Sequence, residues 1–160
     1  MDIAVFATGR LKKGAEAELA ALYAGRFKAA APALGLSFGG VAEAAESRAN
    51  ATEQRKAEEY APLLRHLKPG GALILLDERG ENLSSRAFAG LISHWRDEGR
   101  PHLLLAVGGS DGFADAARAR ADKILSFGAM TWPHRLARIM LLEQLYRAAT
   151  ILAGHPYHRD

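Results

Sequence analysis

Short apolar runs closed by glycine or proline alternate along this chain with longer amphipathic stretches. Ile3, Val5 and Phe6 predict a buried strand over Asp2–Thr8, stopped by Gly9. From Gly14 to about Ala30 the chain is rich in Ala, Glu and Leu and predicts a helix, with Leu19, Leu22, Tyr23 and Phe27 on one face. Pro32 and Gly35 end it, and Leu36–Ala42 reads as a second strand. Glu53–Leu67 predicts another helix, stopped by Lys68-Pro69-Gly70-Gly71, with a kink or break near Tyr60 imposed by Pro62.

The second half repeats the rhythm more sharply. Ala72–Leu76 is a continuous apolar strand of the kind buried inside a parallel sheet. Asp77-Glu78-Arg79-Gly80 follows it, then Ser84 as a helix cap, a helix over Ser85–Glu98, and Gly99 closing it. His102–Val107 is the next strand, running into Gly108-Gly109-Ser110-Asp111-Gly112. A short helix from Phe113 to about Arg120, a strand over Lys123–Phe127 and a long helix from Pro133 to about Ala153 complete the pattern. Strands alternating with helices predict an α/β fold, a mainly parallel sheet with helices on both faces. On the last helix Leu136, Ile139, Met140, Leu142, Leu145, Tyr146, Ala149 and Leu152 cover more than one stripe. That width suits either a helix central to its own domain or one at a dimer interface.

Composition narrows the class. A length of 160 residues, 49% hydrophobic and 24% charged, is that of one globular domain rather than a disordered chain. The absence of cysteine excludes disulfides, thiolate metal clusters and thiol catalysis, and points to a reducing cytoplasm. The apolar runs Ala72–Leu76 and Leu103–Val107 fall far short of the ~20 residues a membrane span needs. The start, Met1-Asp2-Ile3 with Gly9-Arg10 close behind, does not read as a signal peptide. A net charge of +3 permits a nucleic-acid partner without requiring one.

In an open parallel sheet, ligands bind beyond the carboxyl ends of the strands. Three segments arrive there: Leu76-Asp77, Val107-Gly108-Gly109, and Phe127-Gly128-Ala129-Met130-Thr131. The glycine loop at 108–112 is neither a Walker loop nor G-x-G-x-x-G, and a tight strand-to-helix turn explains it equally well. None of the six histidines pairs with another at zinc-site spacing, so no metal is expected. Asp111, Asp115 and Asp122 fit helix-start charges and solvated faces. Glu143 and Arg147 stand in the favourable order for a helix ion pair, which competes with a substrate-clamp role for Arg147. The tail His155-Pro156-Tyr157-His158-Arg159-Asp160 is either a frayed polar end or a group able to stack on a base and grip a phosphate.

Four blocks occur together in this order: Leu-Ala-Val-Gly-Gly-Ser-Asp-Gly at 105–112, Leu-Ser-Phe-Gly-Ala-Met-Thr-Trp-Pro-His at 125–134, Leu-Glu-Gln-Leu-Tyr-Arg-Ala at 142–148 and His-Pro-Tyr-His-Arg at 155–159. Together they resemble the bacterial ribosomal RNA large-subunit methyltransferase H family. The resemblance covers the whole chain and is loosest between Ala30 and Pro69. It implies a SPOUT-type domain over 1–160 with a C-terminal deep trefoil knot at about 72–153 and a tail at 154–160. It also implies a cytoplasmic homodimer that transfers a methyl group from S-adenosylmethionine to N3 of pseudouridine 1915, in helix 69 of 23S rRNA, on assembled 70S ribosomes. No metal, DNA or membrane is expected.

Carried over by position, the resemblance implies cofactor contacts from Leu76, Gly108, Phe127, Gly128, Ala129, Met130, Thr131 and Trp132, which fall on the three strand ends picked out above. It places His134, Arg147, Tyr157, His158 and Arg159 on the substrate side, the tail of one protomer completing the site of the other. A histidine, His134 or His158, would take the N3 proton. Alternatively, Arg147 or Arg159 would stabilise the anion that forms on the carbonyl oxygens. Trp132 stands where Leu or Phe is more usual, and Glu81 where Lys is common. The competing readings are a SPOUT methyltransferase with another RNA target, a non-catalytic ribosome-binding factor, and a generic nucleotide-binding module. The last lacks a phosphate loop.

Overall fold

In the computed structural model, which describes residues 1–158, the strands are β1 (Asp2–Thr8), β2 (Ser37–Ala44), β3 (Ala72–Asn82), β4 (His102–Val107) and β5 (Lys123–Ser126). They form one sheet in the order β2-β1-β4-β3-β5, and every pairing is parallel. The helices are α1 (Ala15–Ala30), α2 (Thr52–His66), α3 (Ser85–Asp97), α4 (Asp115–Arg120) and α5 (His134–Leu152). The two-residue period of the strands divides the core. Ile3, Val5, Ile74, Leu103 and Leu105 face α1, α3 and α5, whereas Phe6, Leu73, Leu75, Leu104 and Ala106 face Leu63 of α2 and Ala117 of α4. Helices on both faces bury β4 completely and β3 over Ala72–Leu75, which is why these segments read as unbroken apolar runs. Among the described residues no helix is long and apolar enough to cross a membrane.

Three local expectations are corrected. Strand β3 does not stop at Leu76 but continues to Asn82, with a register shift between Leu76 and Glu81 where it pairs with β5. Gly80 makes this possible: a Cβ there would lie 2.4 Å from the carbonyl carbon of Leu125. Helix α2 runs unbroken through Pro62, held by the fully buried Leu63 that follows it. On α1 the buried face carries Ala20 and Phe27, while Leu19 and Leu22 are exposed. Ser84 caps α3 as expected, its hydroxyl accepting from the Ala87 amide. Packing inside the protomer buries Ile139, Leu141, Leu142, Leu145, Ala148 and Ala149 of α5, and so accounts for most of its wide apolar surface. Leu136 remains exposed, and Met140, Tyr146 and Leu152 are half-buried.

Candidate cofactor and active site

The carboxyl ends of β4 and β5 and the middle of β3 open into one cleft. Leu76, Val107, Gly108, Phe127, Gly128, Met130, Thr131 and Trp132 line it, with His134 at its rim. Seven of the eight residues expected to touch a cofactor are in that lining, and Ala129 lies in the same loop between Gly128 and Met130. Gly108 is buried, and a Cβ there would press within 3.3 Å of the Gly112 carbonyl and the Phe113 ring. The glycine thus keeps the loop folded on itself and leaves backbone facing the cleft. Gly128 adopts φ +115, and the Ser126 hydroxyl fixes the start of its loop by donating to the Gly128 carbonyl and accepting from its amide. Met130 and Trp132 remain exposed at the lip.

Charged residues that sequence reasoning did not assign to the site frame this cleft. Asp77, its side chain only 3% exposed, accepts from Nε and Nη2 of Arg118 at 3.0 and 2.7 Å. Burial opposes the charge on Arg118, but Asp77 and Asp115 outweigh it and hold the guanidinium above its ordinary pKa. Asp111 is not merely a helix-start charge. Arg55 of α2 grips it with two nitrogens, at 2.6 and 3.2 Å, while also donating to the carbonyls of Ala49 and Asn50. That pairing raises the Arg55 pKa, lowers that of Asp111, and clamps the glycine loop to the 45–51 segment. Beneath it, burial pushes the Glu59 carboxyl upward while its oxygen accepts the Ser47 amide.

His134 opens α5. Its Nε2 lies 3.4 Å from Glu46, and both side chains sit over Gly9, where a Cβ would come within 3.2 and 3.0 Å of them. One turn further, Arg138 is 99% buried and donates to the Gly9 carbonyl and to Glu43. The same Glu43 oxygen accepts the Leu11 amide at 3.1 Å. Arg138 went unnoticed in the sequence, although an arginine on the buried stripe shared by Leu142 and Leu145 was the signal available.

The other expected residues gather elsewhere. Glu143 accepts from Nε and Nη2 of Arg147 at 2.9 and 2.6 Å and from the Tyr157 hydroxyl at 3.0 Å. The Arg147 guanidinium sits 5.0 Å from the Tyr157 ring centre and 3.5 Å from His158 Nδ1. Tyr157 also packs against Tyr146, their ring centres 4.8 Å apart. Burial, then Glu143 and Tyr23, push the Tyr157 phenol up to about 12. The described part of the tail is therefore docked on α5 rather than frayed, and the ion pair and the candidate clamp are the same arginine. Arg159 lies outside the described residues. His134 begins α5 and Arg147 stands thirteen residues further along it, about 20 Å at the helical rise. One protomer therefore does not bring these two expected groups together.

A family model described as "Predicted SPOUT methyltransferase" matches residues 1–158. A protein of Brucella anthropi called ribosomal RNA large subunit methyltransferase H is 56% identical over 160 residues, covering all of both chains. Its namesake from Rhizobium leguminosarum bv. trifolii is 57% identical over 159 residues, 99% of each chain. Among solved structures, the SpoU methyltransferase AviRb of Streptomyces viridochromogenes matches with a TM-score of 0.39 and 17% identity, over 96% of this chain and 61% of that one. With a full-length family match and more than half its residues identical to these relatives, the chain belongs to the SPOUT methyltransferases and, within them, to the ribosomal RNA large subunit methyltransferase H family.

Proposed function

We propose that this chain methylates N3 of pseudouridine 1915 in helix 69 of 23S rRNA, on assembled 70S ribosomes in the cytoplasm, using S-adenosylmethionine. The observation that carries the reading is the cleft at the ends of β4 and β5 beside the middle of β3, where apolar side chains and glycine turns form one part of the lining, charged residues frame the rest, and His134 stands at the rim. Its residues fit the cofactor. Leu76, Val107, Phe127 and Trp132 offer flat apolar surface for an adenine ring, and the loops at Gly108 and Gly128 offer backbone groups for its edge. When bound, the cofactor supplies an activated sulfonium methyl, so the protein's task is alignment and proton removal. N3 of the base carries a proton between two carbonyls and gains nucleophilicity when that proton leaves. We assign the removal of that proton to His134, with His158 as the alternative, a contribution of roughly 10²–10⁴ in rate. An arginine beside the carbonyl oxygens stabilises the resulting anion, the role we assign to Arg147 or Arg159, with Tyr157 and His158 beside Arg147.

The separation along α5 supports a homodimeric active unit, in which the tail cluster of one protomer completes the cleft of the other. A C-terminal segment knotted in the SPOUT manner belongs to the same proposal. The test is methyl transfer from labelled S-adenosylmethionine to 70S ribosomes lacking the modification, followed by nucleoside digestion and mass spectrometry. Label is expected in 3-methylpseudouridine, with none on free 23S rRNA. Cofactor binding without label would instead identify a ribosome-binding factor.

A further inference from the structure

The modest net charge conceals how the cations are distributed. Most are neutralised locally: Arg55 by Asp111, Lys56 by Glu53, Lys68 by Asp2, Arg118 by Asp77, Lys123 by Glu81 and Arg135 by Glu16. Arg10, Lys12 and Lys13, three cations within four residues, have no acidic partner among the described residues, and all three are exposed. They occupy the loop between β1 and α1, at the same edge of the sheet as the cleft, and Gly9 directly before them packs against His134.

That loop is braced rather than loose. The Gly9 amide donates to the Ala44 carbonyl at 2.8 Å, the Leu11 amide to Glu43 at 3.1 Å, and the buried Arg138 holds the Gly9 carbonyl. Glu43, the acid closest in this network, is occupied by Arg138 and Leu11, and Glu46 is turned toward His134. Arg48, exposed on the adjacent loop after β2, adds a fourth cation without an acidic partner. Unneutralised cations on a loop whose backbone is braced at Gly9 and Leu11 meet an anionic polymer without first breaking an internal ion pair.

We propose that the Arg10–Lys13 loop is a phosphate-binding contact for the RNA backbone flanking the target base. The proposal rests on the RNA methyltransferase reading above. Arginine can grip a phosphate with two nitrogens and lysine acts as a point charge, so the contact contributes affinity and placement without reading sequence.

The test compares wild type with the triple variant R10Q/K12Q/K13Q, using unmodified 70S ribosomes, across a series of salt concentrations. Losing three phosphate contacts is expected to flatten the slope of log Kd against log salt by about 2. KM for ribosomes is expected to rise about tenfold or more at 0.1 M salt, with kcat within twofold and S-adenosylmethionine affinity unchanged. A control variant, K28Q/R65Q, removes two exposed cations near the carboxyl ends of α1 and α2 and is expected to leave both quantities alone. An unchanged slope and KM in the triple variant would overturn the proposal, as would a loss confined to kcat. Wild-type protein that transfers no methyl group to ribosomes would overturn the functional reading itself, a distinct result.

Discussion

Replacing Arg138 by Met tests whether the buried guanidinium is the strut that ties α5 to the ends of β1 and β2. The substitution keeps an unbranched side chain of similar reach, so little cavity forms, but it removes the donors to Glu43 and to the Gly9 carbonyl. Breaking a buried pair ordinarily costs about 3–5 kcal/mol, because the remaining charge is stranded. Two features reduce that here: Glu43 is 31% exposed and can recover water, and Nε of Arg138 has no partner, so its desolvation is refunded. The Gly9 carbonyl, left unpaired, costs about 1–3 kcal/mol. The net expectation is a loss of about 2–3 kcal/mol, or roughly 5–10 °C in melting temperature for a chain of this size. Urea denaturation at fixed protein concentration measures it, and a double-mutant cycle with Glu43→Gln should return a coupling of at least about 1 kcal/mol. A variant within about 0.5 kcal/mol of wild type, or an additive cycle, would refute the strut.

Tyr157 is expected to titrate near 12. Its raised pKa means that the folded chain holds the phenolic proton more tightly than the unfolded one. That stability is present in full below the ordinary phenol pKa of about 10 and is lost as pH climbs from there toward 12. Tyrosinate absorbance checks this: Tyr157→Phe should delete the highest transition and Glu143→Gln should lower it, whereas an unchanged curve would contradict the docked tail. Gly80→Ala drives a methyl group into the backbone of Leu125 and should cost about 1–3 kcal/mol or more, with at least a tenfold loss of S-adenosylmethionine affinity as the 127–132 loop shifts. Gly90→Ala, in the middle of α3 with nothing within 4 Å, should instead gain up to about 1 kcal/mol, so equal effects at the two glycines would overturn the argument. Trp132 lines the cleft and Trp95 is buried, so cofactor binding should change a fluorescence signal that Trp132→Phe abolishes.

What the sequence disclosed follows from what local pattern can encode. The apolar runs at Ala72–Leu76 and His102–Val107 announced the sheet's centre because helices cover both of its faces, and the strand-end rule led from there to Leu76, Gly108 and Phe127–Trp132. The continuation of β3 past Asp77 was not legible, since charged residues ordinarily end a strand and the pairing with β5 that sustains it is long-range. Nor were the clamps: Arg55 meets Asp111 across 56 positions, Arg118 meets Asp77 across 41, and Arg138 meets Glu43 across 95. Glu143 with Arg147, one helical turn apart, could by contrast be paired by spacing alone. The tail was ambiguous for the same reason. Its docking depends on Glu143 and Tyr146, which a linear reading has no means of bringing to Tyr157.

The length of α5 decides how the two halves of the site can cooperate. With His134 and Arg147 about 20 Å apart along one rigid helix, no single base can touch both from the same protomer. If the tail cluster serves the partner's cleft, inactivity should be complementable. Co-expressed His134→Ala and Arg147→Ala chains that pair at random make half their dimers mixed. Each mixed dimer holds one composite site in which both groups are intact and one in which both are missing. Methyl transfer to 70S ribosomes by the mixture should therefore recover to about a quarter of wild type, while each variant alone stays near background. A mixture as inactive as its parents would place both groups on the same chain's chemistry, or leave the Glu143–Arg147–Tyr157 cluster a purely structural clasp. Recovery would mean that the docked tail is held ready for another molecule's cleft. The firm grip of Glu143 on Arg147 and Tyr157 then serves to orient the arginine before the RNA arrives.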